Sequence, residues 1–276
     1  MNDVQNTALS KVPEVTLAFW LIKILATTLG ETGGDAVTMS MHLGYAIGTV
    51  IFFGVFIVAV AAQIPAKTFH PSLYWTTIFA TTTVGTTMAD FADRSIGIGY
   101  VGGSTILFLA LIASLAVWRW SEGSVSVNTV ATPRVEAFYW VTILFSQTLG
   151  TALGDWMAGS DRGGLGLGYE YGALIFGAGL ALVAAAYFFT NTSRVLLFWI
   201  AFILTRPLGA TLGDLLDKPL ADGGLAISRF YASAILAVLI VALIVLLPQR
   251  AGAHPSARAQ RVNNVTRGKH REGTRV

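Results

Sequence analysis

The stretch Phe19-Trp20-Leu-Ile-Lys23-Ile-Leu-Ala-Thr27-Thr-Leu-Gly30-Glu31-Thr-Gly-Gly34-Asp35 decides how the chain is read, because the sequence writes it four times. The other copies run from Trp75 to Asp90, from Trp140 to Asp155 and from Trp199 to Asp214. In each, a Phe or Tyr precedes the Trp, a Gly follows it by ten residues, and an Asp closes the stretch at fifteen. On a helix that turns about 100° per residue, the Trp and the positions seven, eleven and fifteen beyond it share one broad face. That face reads Trp20, Thr27, Glu31, Asp35, then Trp75, Thr82, Thr86, Asp90, then Trp140, Gln147, Thr151, Asp155, and finally Trp199, Arg206, Ala210, Asp214. Each copy is an apolar helix carrying one polar seam.

Composition sets the solvent. Hydrophobic residues make up 54% of the 276 residues against 12% charged, and the mean hydropathy is +0.65. That balance lies outside the range of ordinary soluble domains and points to an integral membrane protein. A span needs about 20 mostly apolar residues. Eight such segments are expected, at about 13–34, 43–64, 72–90, 96–118, 134–154, 167–189, 195–214 and 228–247. The odd-numbered spans carry the repeated stretch; the even ones are more uniformly apolar and are expected to face lipid. The organisation that follows is a lead at 1–12, repeats at 13–68, 69–131, 132–192 and 193–248, and a basic, disordered tail at 249–276. With no cysteine, the chain has no disulfide framework, no thiolate metal site and no thiol redox chemistry. Lys23 and Glu31 inside the first apolar run fit a retained span better than a cleavable signal.

Charge orients the spans. The lead, the loops between spans two and three, four and five, and six and seven, and the tail together hold 12 of the 18 basic residues. The opposite loops hold only Arg94, Arg162, Lys218 and Arg229, together with most of the aspartates. By the positive-inside rule both termini are cytoplasmic. Two-span units all enter the membrane in the same sense, so the repeats are parallel and are expected to surround an axis along the membrane normal. The expected fold is therefore all-α, with eight transmembrane helices arranged as four parallel two-helix repeats around a pseudo-symmetry axis.

Those four Trp-to-Asp stretches, with the Lys11-Val-Pro-Glu-Val-Thr16 lead and the Thr27-Thr-Leu-Gly-Glu-Thr-Gly-Gly-Asp35 motif, resemble a family of bacterial membrane-anchored proteins. Its members are built from a tandem repeat of unknown function, each copy with two transmembrane helices and a tryptophan. The resemblance covers roughly Lys11 to Leu247. It implies this architecture and a bacterial inner-membrane location; it implies no activity.

Several features of the seam could carry chemistry. Gly30 and Gly34, Gly85 with Ala89, Gly150 and Gly154, and Gly209 and Gly213 form small-xxx-small pairs that let helix backbones approach closely. Asp35, Asp90, Asp155 and Asp214 admit two readings, as solvated helix ends in the outer headgroups or as a central cation site. A carboxylate at a helix C-terminus opposes the helix dipole, and here it recurs in every copy. Glu31 adds a fifth carboxylate where the other copies have Thr86, Thr151 and Ala210. Carboxylates, hydroxyls and carbonyls suit hard cations such as Mg²⁺, Ca²⁺ or Mn²⁺, and the set does not distinguish among them. Lys23 and Arg206 fall near mid-span, where a charge costs about 2.5–3.5 kcal/mol on insertion scales. Lys23 could snorkel. Arg206, next to the helix-breaking Pro207, calls for a buried partner such as Glu31 or Gln147.

Nothing resembles a nucleophile with its base, a nucleotide cradle or a catalytic metal motif, so neither an enzyme nor a bound cofactor is expected, and no nucleic-acid partner. The leading functional expectation is a small cation permease with an acidic outer vestibule. Its candidate ion-binding residues are the outer Asp35, Asp90, Asp155 and Asp214, which would concentrate and partly dehydrate the ion, and the internal Lys23, Glu31, Gln147 and Arg206, which would gate or couple its passage. Its surroundings would be the lipid bilayer. The alternative is a non-transporting scaffold or sensor acting through the basic tail. Oligomeric state does not follow from the sequence.

Overall fold

The computed structural model describes residues 9–253. The repeated stretches form α1 (Leu17–Asp35), α3 (Pro71–Asp90), α5 (Pro133–Ala158) and α7 (Arg194–Asp217). Each is followed by a second long helix, α2 (Gly44–Gln63), α4 (Tyr100–Glu122), α6 (Tyr169–Phe189) and α8 (Arg229–Leu246). Local chemistry sets the starts. Thr16, Thr132 and Ser193 cap α1, α5 and α7 by accepting from the backbone N–H groups of Phe19, Val135 and Leu196, which serves donors with no helical partner. Pro71 and Pro133 occupy the first turns of α3 and α5, where the missing N–H costs nothing.

The four repeat helices close into a ring in which α1 packs between α3 and α7, and α5 packs between the same two helices. The glycines dictate how closely. A Cβ added at Gly30 would strike Thr82, one at Gly85 would meet Gln147, one at Gly150 Arg206, and one at Gly209 Thr27. In every case the glycine ten residues past one Trp lies on the residue seven past the Trp of the next repeat, and the last repeat returns to the first. Gly34, Gly154 and Gly213 repeat the pattern one turn on, against Thr86, Ala210 and Glu31. The small-residue face of each helix is thus the socket for the polar seam of its neighbour. Threonines tie the backbones together: Thr82 donates to the Ala26 carbonyl at 3.2 Å and Thr27 to the Thr205 carbonyl at 3.2 Å.

At the opposite end of the ring the aromatics interlock in the same sense. Phe19 meets Trp75 at 5.5 Å, Tyr74 meets Trp140 at 5.7 Å and Phe198 meets Trp20 at 5.7 Å between ring centroids. Between Tyr139 and Trp199 the indole of Trp118, from α4, is inserted. Trp75, Trp140 and Trp199 are buried, so this layer is a packed core rather than an interfacial belt.

The second helix of each repeat packs chiefly on the next repeat: α2 on α3, α4 on α5, α6 on α7, and α8 back on α1. A repeat as written in sequence is therefore not a packing unit in space; the outer helix of the fourth seals the first. Among the described residues five helices, α2, α4, α6, α7 and α8, are long and apolar enough to cross a membrane. The outer ones expose large apolar side chains such as Val50, Val58, Leu174, Leu182, Val238 and Val245, a surface that calls for lipid. In α1, α3 and α5 the seam lowers the apolar content, and that seam faces the ring interior.

The two ends of the described segment meet at the aromatic end of the ring. β1 (Leu9–Pro13) pairs antiparallel with β2 (Ala251–Ala253). Lys11 inserts beside them, ion-paired to Glu136 at 2.7 Å and donating to the carbonyls of Gln63 and Ile64 at 3.3 and 2.7 Å. The first residues of the tail, through Ala253, are therefore built into the fold and not disordered. The basic stretch beyond them, 254–276, lies outside the described residues.

Candidate ion-binding network

All four seam aspartates are buried, which removes the reading of them as solvated headgroup residues. They are joined in pairs across repeat boundaries. Arg94 holds Asp90 at 2.6 Å and reaches Asp155 of the next repeat at 3.5 Å. Lys218 holds Asp214 at 3.0 Å and bonds Asp35 of the first repeat. Arg229, at the start of α8, lies 3.8 Å from Asp35 and 3.6 Å from Asp217. These cations offset the unfavourable placement of a carboxylate at a helix C-terminus. Burial alone would lower the Lys218 amine, but Asp214, Asp35 and Asp217 outweigh it and hold the group well above its ordinary value. At Arg94 burial is likewise outweighed, by Asp90 and Asp155.

One turn deeper, Glu31 meets Arg206. The Arg206 Nη2 donates to Glu31 Oε2 at 2.9 Å and contacts the hydroxyls of Thr86 at 2.6 Å and Thr151 at 2.5 Å. Arg206 thus leaves the layer seven residues past its own Trp and reaches the layer eleven residues past the Trp of the other three repeats. Of the two partners open in the sequence, the ring supplies Glu31. Gln147 serves Lys23 instead: Lys23 Nζ lies 3.4 Å from Gln147 Oε1, 3.4 Å from Thr205 Oγ1, and 4.1 Å from the centroid of the Phe202 ring. Lys23 is fully buried and points into the ring, so it does not snorkel.

Carboxylate oxygens of Glu31, Asp35 and Asp90 lie within 4.8 Å of one another, as do those of Asp35, Asp214 and Asp217. Through these approaches and the ion pairs, one connected network forms. It contains six carboxyl groups, of Glu31, Asp35, Asp90, Asp155, Asp214 and Asp217, and four cationic groups, of Arg94, Arg206, Lys218 and Arg229. With every group ionised, two negative charges lack a partner. A buried excess of that size is unfavourable unless protons or a cation neutralise it.

The ring brings together all the sequence-derived candidates, with Lys23 and Gln147 one layer below the network. Missing from the sequence reading were Arg94, Lys218, Arg229 and Asp217. A signal existed for two of them: Arg94 and Lys218 each stand four residues after a seam Asp, on the same helical face. That each also reaches the Asp of the following repeat is visible only in space.

Fold and network together define a class, a helical membrane protein whose four repeats turn their polar seams onto a common axis. The chain belongs to the family described as Repeat of Unknown Function (DUF347), whose model matches it four times, over residues 18–68, 73–124, 138–193 and 197–249. No curated protein and no solved structure matches the chain.

Proposed function

We propose that this protein is a small cation permease of a bacterial inner membrane, held here in a closed conformation. All eight helices cross the bilayer, both termini lie in the cytoplasm, and the carboxylate network faces the outer side. The observation that carries the reading is the charge imbalance of the network: six buried carboxyl groups against four cations at the end of the ring, with three carboxylates converging within 4.8 Å. Such a vestibule attracts and partly dehydrates cations, as low-dielectric walls make each charge count for more. Its donor atoms are oxygens, the preference of hard cations. Closure lies at its deep end, where Glu31, Thr86, Thr151 and Arg206 are buried. α1, α3 and α5, of 19, 20 and 26 residues, are long enough for about 28–39 Å of rise, and their polar faces need no lipid contact.

The test is flux into proteoliposomes loaded with indicators for monovalent cations, divalent cations and protons. Wild-type protein is expected to move a cation, and Asp35→Asn and Asp90→Asn to cut the rate at least about tenfold, a change of about 1.4 kcal/mol in barrier. Wild-type vesicles no leakier than empty ones to every one of these ions would end the permease reading.

A further inference from the structure

Three oxygens from three different repeats converge on one atom. Glu31 Oε2, Thr86 Oγ1 and Thr151 Oγ1 lie 2.9, 2.6 and 2.5 Å from Nη2 of Arg206. A guanidinium amino group carries two protons, so one of the three oxygens faces the nitrogen without a hydrogen between them. Meanwhile Nε and Nη1 of the same fully buried side chain find no acceptor among the described residues. A guanidinium sited for its own sake would spread its five donors over the acceptors in a planar fork. Here the oxygens are arranged around a point and not around a plane.

The arrangement follows from the repeat. The three oxygens stand eleven residues past Trp20, Trp75 and Trp140, and the fourth repeat has Ala210 at that place. The absent fourth ligand belongs to the same helix that supplies Arg206. We propose that Glu31, Thr86 and Thr151 form a binding ring for a monovalent alkali cation, and that Arg206 fills it as a tethered stand-in when the bundle is closed.

Charge selects the class. One carboxylate with two neutral hydroxyls balances a single positive charge. The separations of 2.5–2.9 Å, set with the Arg206 nitrogen at the centre, leave more room than the roughly 2.0–2.1 Å that magnesium demands and overlap the roughly 2.3–2.6 Å of calcium, so the single negative charge is what favours a monovalent ion. A spherical ion accepts all three lone pairs at once, which Nη2 does not. Each threonine hydroxyl has a backbone carbonyl within reach for its own proton, Gly30 and Thr82 at 3.2 Å for Thr86 and Gln147 at 3.5 Å for Thr151, and Thr86 also lies 3.3 Å from Glu31 Oε2. The proposal rests on the permease reading for the identity of the cargo, while binding at the ring stands apart from transport.

The experiment is thermal unfolding of the purified full-length protein in detergent, in sodium, potassium or choline chloride at equal ionic strength, with calcium and magnesium chloride run in parallel. Wild type is expected to show only the small response of the vestibule above the ring, because Arg206 already occupies the ring. Arg206→Met, which empties the ring and leaves Glu31 uncompensated, should unfold about 5–10 °C higher in saturating sodium or potassium than in choline. The double variant Glu31→Gln, Arg206→Met should fold and lose that dependence. Equal stability of Arg206→Met in alkali and choline salts would overturn the proposal, as would a larger shift with calcium or magnesium. Failure of Arg206→Met to fold in any salt, whether or not the double variant folds, would assign the guanidinium a purely structural part and also overturn it. A wild-type protein that moves no cation in vesicles would leave a positive binding result intact and end only the permease reading.

Discussion

One methyl group at Gly150 tests whether the ring is closed as tightly as its glycines imply. A Cβ there would lie 2.3 Å from Arg206 Cγ, 2.4 Å from Arg206 Cβ and 3.0 Å from Pro207 Cδ. Carbon atoms pack at about 3.5–4.0 Å. The Arg206 Cβ is fixed by its backbone, so α5 and α7 must separate by roughly 1 Å to admit the methyl. Overpacking of this kind costs about 1–3 kcal/mol. Gly33 provides the control, because a Cβ there would meet Phe79 and Ser233 only at 4.0 Å, an ordinary contact. Both substitutions gain the same helix propensity, about 1 kcal/mol. Gly150→Ala is therefore expected to be about 2–3 kcal/mol less stable than Gly33→Ala, or roughly 5–10 °C lower in Tm for a chain of this size. Unfolding in detergent followed by tryptophan fluorescence suits the measurement, since Trp75, Trp140 and Trp199 are buried in the aromatic layer of the same ring. A Gly150→Ala protein as stable as Gly33→Ala would refute the close approach of neighbouring repeats.

Glu136→Gln should cost about 3–5 kcal/mol, because it leaves the buried Lys11 ammonium without its counter-charge; the double variant Lys11→Met, Glu136→Met should recover most of that loss in the same unfolding assay. Burial pushes the Asp93 carboxyl up to about 6, against the opposing pull of Arg94 and Arg162. Its folded value lies above the unfolded one near 3.9, so its stabilising contribution is complete below about pH 4 and is lost as the pH rises through about 6. Asp93→Asn should flatten that decline and, after allowance for solvent screening, gain about 1 kcal/mol at pH 8; an unchanged pH profile of Tm would count against it. Reporter fusions after Asp93 and after Arg194 are expected to lie in the periplasm and the cytoplasm respectively, and the reverse pattern would invert the proposed orientation.

The fourfold stretch, its helical face and its division into seam-bearing and lipid-facing helices were legible in the sequence, because spacing along one helix determines which side chains share a side. Gly30, Gly85, Gly150 and Gly209 also declared themselves as packing sites, since removing a side chain at a fixed spacing serves close approach. Which helix each glycine meets was decided only by the tertiary structure. Ring order, and the packing of α8 on α1 across the whole length of the chain, rest on contacts between residues far apart in sequence. The same limit governs the charges. Lys23 could have bent toward the interface, and the oxygens of Gln147 and Thr205 on α5 and α7, with the Phe202 ring, give its ammonium a reason to stay inside. Asp35 and Asp214 read as separate helix ends until Lys218 is placed between them. A buried charge is set by what the rest of the fold brings within reach of it, and periodicity along a single helix carries no record of that neighbour.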